Sequence, residues 1–313
     1  MFEHFVQRRK LYYIISAVVI GLGLLAMVYA WATTGSALRL GVDFVGGTRF
    51  EVQFEEPVTE TELRKVFTEQ GVANPTVMAL RGQEVQNGWQ IRTPYMTPDE
   101  AAAVEAGLRD TSDLVAGTLL VTTMSPAIGH EVTQAALVAI LVAAAIILVY
   151  IMVMFRQIPN SVRYGACAVA AMFHDLLVIL GFTAVMGMIL GWEIDALFLT
   201  AVLTVVGFSL QDTIVVFDRI RENLNNRKNR SLDFETIANM SVGQVFKRSF
   251  ITQLNAMFVM VAILLFGGAA IKPFIAVLFV GLLSGTYSSI FTAVPLLVSW
   301  EKRTETTPSA RTA

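Results

Sequence analysis

Four ionisable residues sit where an apolar chain should carry none. His174 and Asp175 fall in the middle of one long hydrophobic run, Asp212 lies inside another, and Arg248 opens a third. Putting such a group into hydrocarbon costs roughly 2.5–3.5 kcal/mol on insertion scales, so each needs a reason. Asp212 stands about two helical turns before Asp218-Arg219, which places it ~10 Å inside the end of its run at 1.5 Å per residue. Thr252 and Asn255 continue the Arg248 face of a helix at i+4 and i+7. A carboxylate that alternates between an apolar surround and a nearby cation can load and release a proton. Asp212 as carrier and Arg248 as its conformational counter-ion supply the parts of that switch. The competing reading is a static polar clasp between helices, with Arg248 snorkelling to the interface. His174 and Asp175 join the candidate relay, although neighbouring residues on a helix point in different directions.

These groups need spanning helices to hold them, and the composition provides for that. Of 313 residues 55 % are apolar and 15 % charged, with a mean hydropathy of +0.60. A soluble domain carries about 25 % charged residues, so a simple cytosolic enzyme is excluded. Crossing a hydrocarbon core of ~30 Å takes about 20 apolar residues of helix. Six runs suffice: Leu11–Trp31, Val132–Phe155, Tyr164–Leu190, Ala196–Phe217, Phe250–Ala270 and Pro273–Trp300. Ala30-Trp31-Ala32 loosely fits a signal-cleavage pattern, but the run is long for a signal peptide, and we read it as an uncleaved helix.

Lys and Arg set the orientation. Arg8, Arg9 and Lys10 precede the first run and place the N-terminus in the cytoplasm. Six crossings then put 15 of the 23 basic residues on that side, including those of the tail 301–313. The expected division is residues 1–34 (N-terminus and first helix), 35–129 (an extracytoplasmic domain), 130–300 (helices two to six) and 301–313 (a cytoplasmic tail). The segment 35–129 carries 7 Lys and Arg against 13 Asp and Glu.

That segment predicts a small α/β unit. Thr48–Phe54 alternates as a strand with Phe50, Val52 and Phe54 on one face. Thr59-Glu60-Thr61-Glu62 is a capping box opening a helix to about Gln70, with Gly71 as its stop. Thr76–Leu80 and Trp89–Thr93 are strands separated by polar Arg81–Gly88. Thr97-Pro98-Asp99-Glu100 starts a second helix, and Leu114–Thr123 holds a last strand. The order β-α-β-β-α-β is that of a ferredoxin-like sandwich. We read it as a binding or docking module.

Several chemistries are excluded or unsupported. A single cysteine, Cys167, leaves no internal disulfide and no Cys-based metal site. His4, His130 and His174 make no ligand-spaced pair, so no metal is expected. No phosphate loop is present, which argues against ATP as the energy source. No cofactor and no nucleic-acid partner is expected. Gly281 and Gly285 form G-x-x-x-G, and Ser284, Ser288 and Thr292 extend a polar face beside it; close helix packing is the expected role, internal or against a partner.

Two longer motifs resemble a known family. Gly41-Val42-Asp43-Phe44-Val45-Gly46-Gly47-Thr48 is similar to the G-[IV]-D-F-x-G-G-T motif of the SecF family of protein-export membrane subunits. Gly207 to Asn223, which includes Asp212, Asp218 and Arg219, resembles that family's G-Y-S-L-N-D-T-I-V-V-F-D-R-I-R-E-N signature, and His174-Asp175 matches its H-D pair. Phe208 and Gln211 stand where the signature has Tyr and Asn, and Met124-Ser125-Pro126 stands where Val-Gly-Pro is usual.

The resemblance implies an RND-superfamily subunit of the bacterial cytoplasmic membrane that pairs with a SecD-like chain and associates with the SecYEG translocon and YajC. It implies use of the proton gradient to assist export of an unfolded polypeptide from the membrane lipid's outer face. Asp212 then corresponds to the family's intramembrane aspartate and Arg248 to the arginine opening the fifth helix. Two rivals are a proton-driven exporter of small molecules or lipids, for which one outer segment of about 95 residues is small, and a scaffold without proton flux. What Asp43 does is open; a structural turn beside the membrane is the plainer reading.

Overall fold

Helix-forming apolar runs with nothing to break them produce long continuous helices, and the computed structural model has six of them among the described residues. It describes residues 4–72, 75–80, 87–156, 158, 160–229, 231–268 and 271–305. The helices are α1 (Arg9–Thr34), α5 (Pro126–Met154), α6 (Ser161–Leu190), α7 (Ala196–Asn225), α8 (Phe234–Phe266) and a broken sixth made of α9 (Lys272–Ser288) and α10 (Val294–Glu305). A π-helical stretch, Ser289–Ala293, joins the last two. Pro295 lacks the N–H that the preceding turn would bond, so the regular ladder loosens there.

α6, α7 and α9 form the middle of the bundle; α1 and α5 lean on α6, and α8 leans on α7 and α9. The core follows: Ile179, Ala201, Val205, Val216, Phe217 and Ile290 are fully buried. Outward positions of α1, α5 and α8 stay apolar and exposed, as Leu22, Leu141 and Phe258 show, which is what a hydrocarbon-facing surface requires.

The G-x-x-x-G of α9 packs internally. A Cβ on Gly281 would stand 2.4 Å from Val205 Cγ2, and one on Gly285 would stand 2.9 Å from Ser209 Cβ, so both glycines let α9 lie close against α7.

Between α1 and α5 the chain builds the expected small domain: a short α2 (Val42–Val45), then β1 (Gly47–Gln53), α3 (Glu60–Glu69), β2 (Thr76–Ala79), β3 (Gly88–Thr93), α4 (Pro98–Thr111) and β4 (Leu120–Met124). The antiparallel sheet runs β2-β3-β1-β4, the order of a split βαβ sandwich. Phe50, Val52, Phe54 and Ile91 face Leu63, Phe67, Val104 and Leu108 of the two helices in a second core. Both capping boxes form, Thr59 with Glu62 and Thr97 with Glu100; each glutamate accepts from the cap's own backbone N–H, which holds its carboxyl below the usual value.

Boundaries differ in places. Only the second half of Leu114–Thr123 is strand, because Val115 and Thr118 make a hydrogen-bonded turn first. The fifth run lengthens most: α8 begins at Phe234, where a polar amphipathic stretch too charged to count as a span continues the same helix. The fifth segment's expected end at Ala270, residues 81–86 of the separator and the tail from 306 lie outside the described residues.

Candidate functional site

Asp175 is the most enclosed charge of the bundle, 1 % exposed. Its neighbours explain how it is tolerated. Ser209 of α7 and Ser288 of α9 donate to Oδ2 at 2.6 and 2.8 Å, and Ser284 of α9 donates to Oδ1 at 2.6 Å. His174 Nδ1 lies 3.2 Å from the same Oδ1, and its Nε2 lies 3.1 Å from Ser16 Oγ on α1. With the carboxylate as acceptor, Nδ1 is the donor of this contact and Nε2 faces the serine hydroxyl. Thus the adjacent pair points two ways and still forms one network, with Asp175 joined to α7 and α9 and His174 to α1. Tyr287 extends it: its ring stacks on His174, and its hydroxyl donates to the Tyr12 carbonyl at 2.9 Å.

One turn beyond Ser209 on α7 stands Asp212, 6 % exposed. Gln253 Nε2, from α8, donates to its Oδ2 at 2.6 Å, and Gln253 itself is 5 % exposed. Arg248 does not reach Asp212. It lies on the exposed side of α8 together with Thr252 and Asn255, about 140° around the helix from Gln253 at 100° per residue. The sequence signal for Gln253 was its place four residues after Ser249: both are buried polar groups on the inner stripe of α8. Gly207 and Gln211 also face outward on α7, as does Phe208. The two departures from the signature therefore leave the Asp212 carboxylate untouched, and its amide partner comes from another helix.

Asp218 and Arg219 close this end of α7. Asp218 pairs with Arg221 at 2.6 Å, and Arg219 bonds Gln244 and Glu222. Close by, Glu235 of α8 binds Lys302 at 2.6 Å, and Arg163 of α6 binds Glu301 at 2.7 Å.

The glycine-rich motif works at the opposite end of α7. Gly41 donates to the Ile194 carbonyl at 2.7 Å, and Ile194 donates back to Arg39 at 2.7 Å. Asp43 Oδ2 accepts from the Ala196 N–H at 2.9 Å, and Asp195 Oδ1 accepts from Phe198 N–H at 2.9 Å, so two carboxylates cap α7. Gly46 and Gly47 have φ of +77° and +116°, and a Cβ on Gly46 would stand 2.7 Å from Pro126 at the start of α5. The motif is thus a joint seating the sheet on α5 and α7. Among the described residues no group of three or more His, Cys, Asp or Glu converges as a metal site.

Comparison with known proteins gives the chain a family. The family model described as "Protein export membrane protein SecD/SecF, C-terminal" matches residues 104–303, and the "SecD/SecF GG Motif" model matches residues 31–58. The protein translocase subunit SecF of Thermobaculum terrenum is 43 % identical over 274 residues, covering 85 % of this chain and 86 % of that one. The SecF of Anaerolinea thermophila is 39 % identical over 94 % of this chain and 92 % of its own. The translocase subunit SecDF of Bacillus subtilis is 31 % identical over 96 % of this chain, which spans only 38 % of that longer protein. A crystal structure of SecDF from Thermus, titled as a translocon-associated membrane protein, superposes with a TM-score of 0.77 at 29 % identity; it covers 96 % of this chain, which again spans 38 % of that one.

Proposed function

From the premise that this chain belongs to the SecD/SecF protein-export family, we propose that it is a proton-driven accessory subunit of the Sec translocase, with Asp212 as the proton carrier. The coarse part of that statement follows from relatives that are translocase subunits. The observation that supports the finer part is the environment of Asp212. It is a buried carboxylate in a spanning helix, its recorded partner is a neutral amide, and a row of polar groups (Gln211, Arg248, Thr252 and Asn255) faces outward from α7 and α8 beside it.

Such a row is costly against lipid and calls for a covering partner. A SecD-like chain is the natural one, since the relative named SecDF matches this chain over only 38 % of its own length. In this reading the proton path runs along that interface. Arg248 exchanges between the partner face and Asp212, while His174 and Asp175 hold α1, α6, α7 and α9 in register. The small domain lies on the outer face, and the termini are cytoplasmic, as the basic residues at positions 8–10 indicate. SecYEG, YajC and the emerging unfolded polypeptide are the further partners. A potential of 100 mV contributes about 2.3 kcal/mol per proton, enough to bias a two-state movement more than tenfold.

The Asp43 and Gly46 joint carries such a movement from α7 and α5 to the sheet. The test is pulse-chase export in cells depleted of the native subunit and supplied with this chain and its own SecD-like partner. Wild type restores export; Asp212→Asn at equal membrane level does not. Equal rescue by both leaves only the scaffold.

A further inference from the structure

We propose that Gln253 is a positioning residue for Asp212 that serves both protonation states of the carboxylate. This deepens the proton-carrier reading and rests on it. Asp212 and Gln253 meet across the α7–α8 contact with Nε2 at 2.6 Å from Oδ2, and both are more than nine-tenths buried.

A primary amide is the side chain that such a site asks for. Its NH2 donates to an ionised carboxylate, the contact that Nε2 and Oδ2 make here; its carbonyl accepts from the O–H of a protonated acid after a half-turn of the amide. Neither state leaves a buried group orphaned. A cation at this position would favour only the charged state, and leucine would serve neither.

The groups around the pair fit that role. Elements packed against α7 carry His174 and Asp175 in the middle of α6 and Lys247 and Arg248 on α8, with Arg163, Glu235 and Lys272 nearer the helix ends, while α9 presents the hydroxyls of Ser284 and Ser288. Asp175 is saturated by three serines and His174. Lys247 and Arg248 face outward. Arg248 lies five residues before Gln253, about 7.5 Å along and 140° around the helix. Asp212 can therefore bond the amide or the guanidinium but not both in one setting of α8. Gln253 defines the setting in which the proton can be exchanged, and Arg248 the one in which the carboxylate is held charged.

The test is proton uptake by proteoliposomes holding this chain with its SecD-like partner. Gln253→Leu lowers the rate at least tenfold at equal membrane level. Gln253→Asn and Asp212→Glu each lower it, and the double variant recovers most of it, because one arm shortens by the methylene that the other gains. A purely structural glutamine would show no such rescue. Wild-type uptake by Gln253→Leu overturns the proposal, and so does failure of the double variant to recover when both single variants are impaired. A wild-type complex without any uptake overturns the proton-carrier reading itself, a result separate from either.

Discussion

Glu193 holds the Arg92 guanidinium at 3.0 Å and thereby ties the loop between α6 and α7 to strand β3. Arg92 faces Arg49 directly in the β1–β3 register, a like-charge pair that is unfavourable alone. Glu193 lies beside both, with Arg49 at 3.9 Å and its own side chain 4 % exposed. Burial pushes its carboxyl above the usual range despite Arg92, Arg49 and Arg39. The folded state therefore holds this proton more tightly than the unfolded chain does. Its stabilisation is full below the unfolded value and is lost as pH rises through the folded one. Relative to Glu193→Gln, wild type should lose unfolding temperature as pH rises above 4.5. A gap that stays flat with pH would mean that the carboxylate is fully compensated by its arginines.

Removing Arg92 instead leaves a buried carboxylate with fewer donors. Arg92→Ala should cost about 1.5–3 kcal/mol at pH 7, the worth of a hydrogen bond to a charged group, and less at pH 4, where Glu193 is protonated. Thermal unfolding at the two pH values measures the difference. An equal loss at both would assign the effect to packing of the arginine stem.

The glycines of the joint separate strain from flexibility. Gly46 combines φ +77° with a Cβ position 2.7 Å from Pro126, whereas Gly35 has the same φ and nothing within 4 Å. Gly35→Ala should cost about 1 kcal/mol for the left-handed backbone; Gly46→Ala adds about 1–3 kcal/mol of overpacking and should fail to accumulate in the membrane. Comparable levels of the two variants would show that α5 can move aside.

Much of this architecture was legible, and the reasons differ from element to element. Apolar run length found all six spans, and the Thr59 and Thr97 capping boxes located both helices of the sheet domain, because those signals are local. What the sequence hid is which side of a helix faces its neighbour. Arg248, Thr252 and Asn255 share a helical face, but it is the outer one; Gln253, one position past Thr252, turns inward to Asp212. Asp43 was similarly opaque, since the amide that it caps lies 153 positions away.

That cap gives a sharp test of the joint. Asp43→Ala removes the acceptor for the Ala196 N–H and should cost about 1 kcal/mol, with faster hydrogen exchange confined to the first turn of α7. Asp43→Asn keeps an acceptor oxygen and should recover most of the stability. A loss as large in Asn as in Ala would mean that the negative charge at the helix N-terminus matters more than the bond itself.

Asp175 distinguishes a rigid clasp from a mobile relay. Each of Ser209, Ser284 and Ser288 donates one hydroxyl to it, so any single Ser→Ala change leaves three of its four donors and should cost about 1 kcal/mol. Asp175→Ala removes the acceptor of the Ser209 and Ser284 hydroxyls and of His174 at once and leaves Ser288 only the Gly285 carbonyl at 3.4 Å, and should cost several times more. The two kinds of change also act differently on function. If Asp175 only fixes helix register, Ser288→Ala slows proton uptake in step with its loss of stability. If it passes the proton on, uptake in Ser288→Ala falls more than tenfold, well beyond what that loss of stability accounts for. The saturated hydrogen bonding favours the first outcome, because a carboxylate already held by four partners gains little from moving.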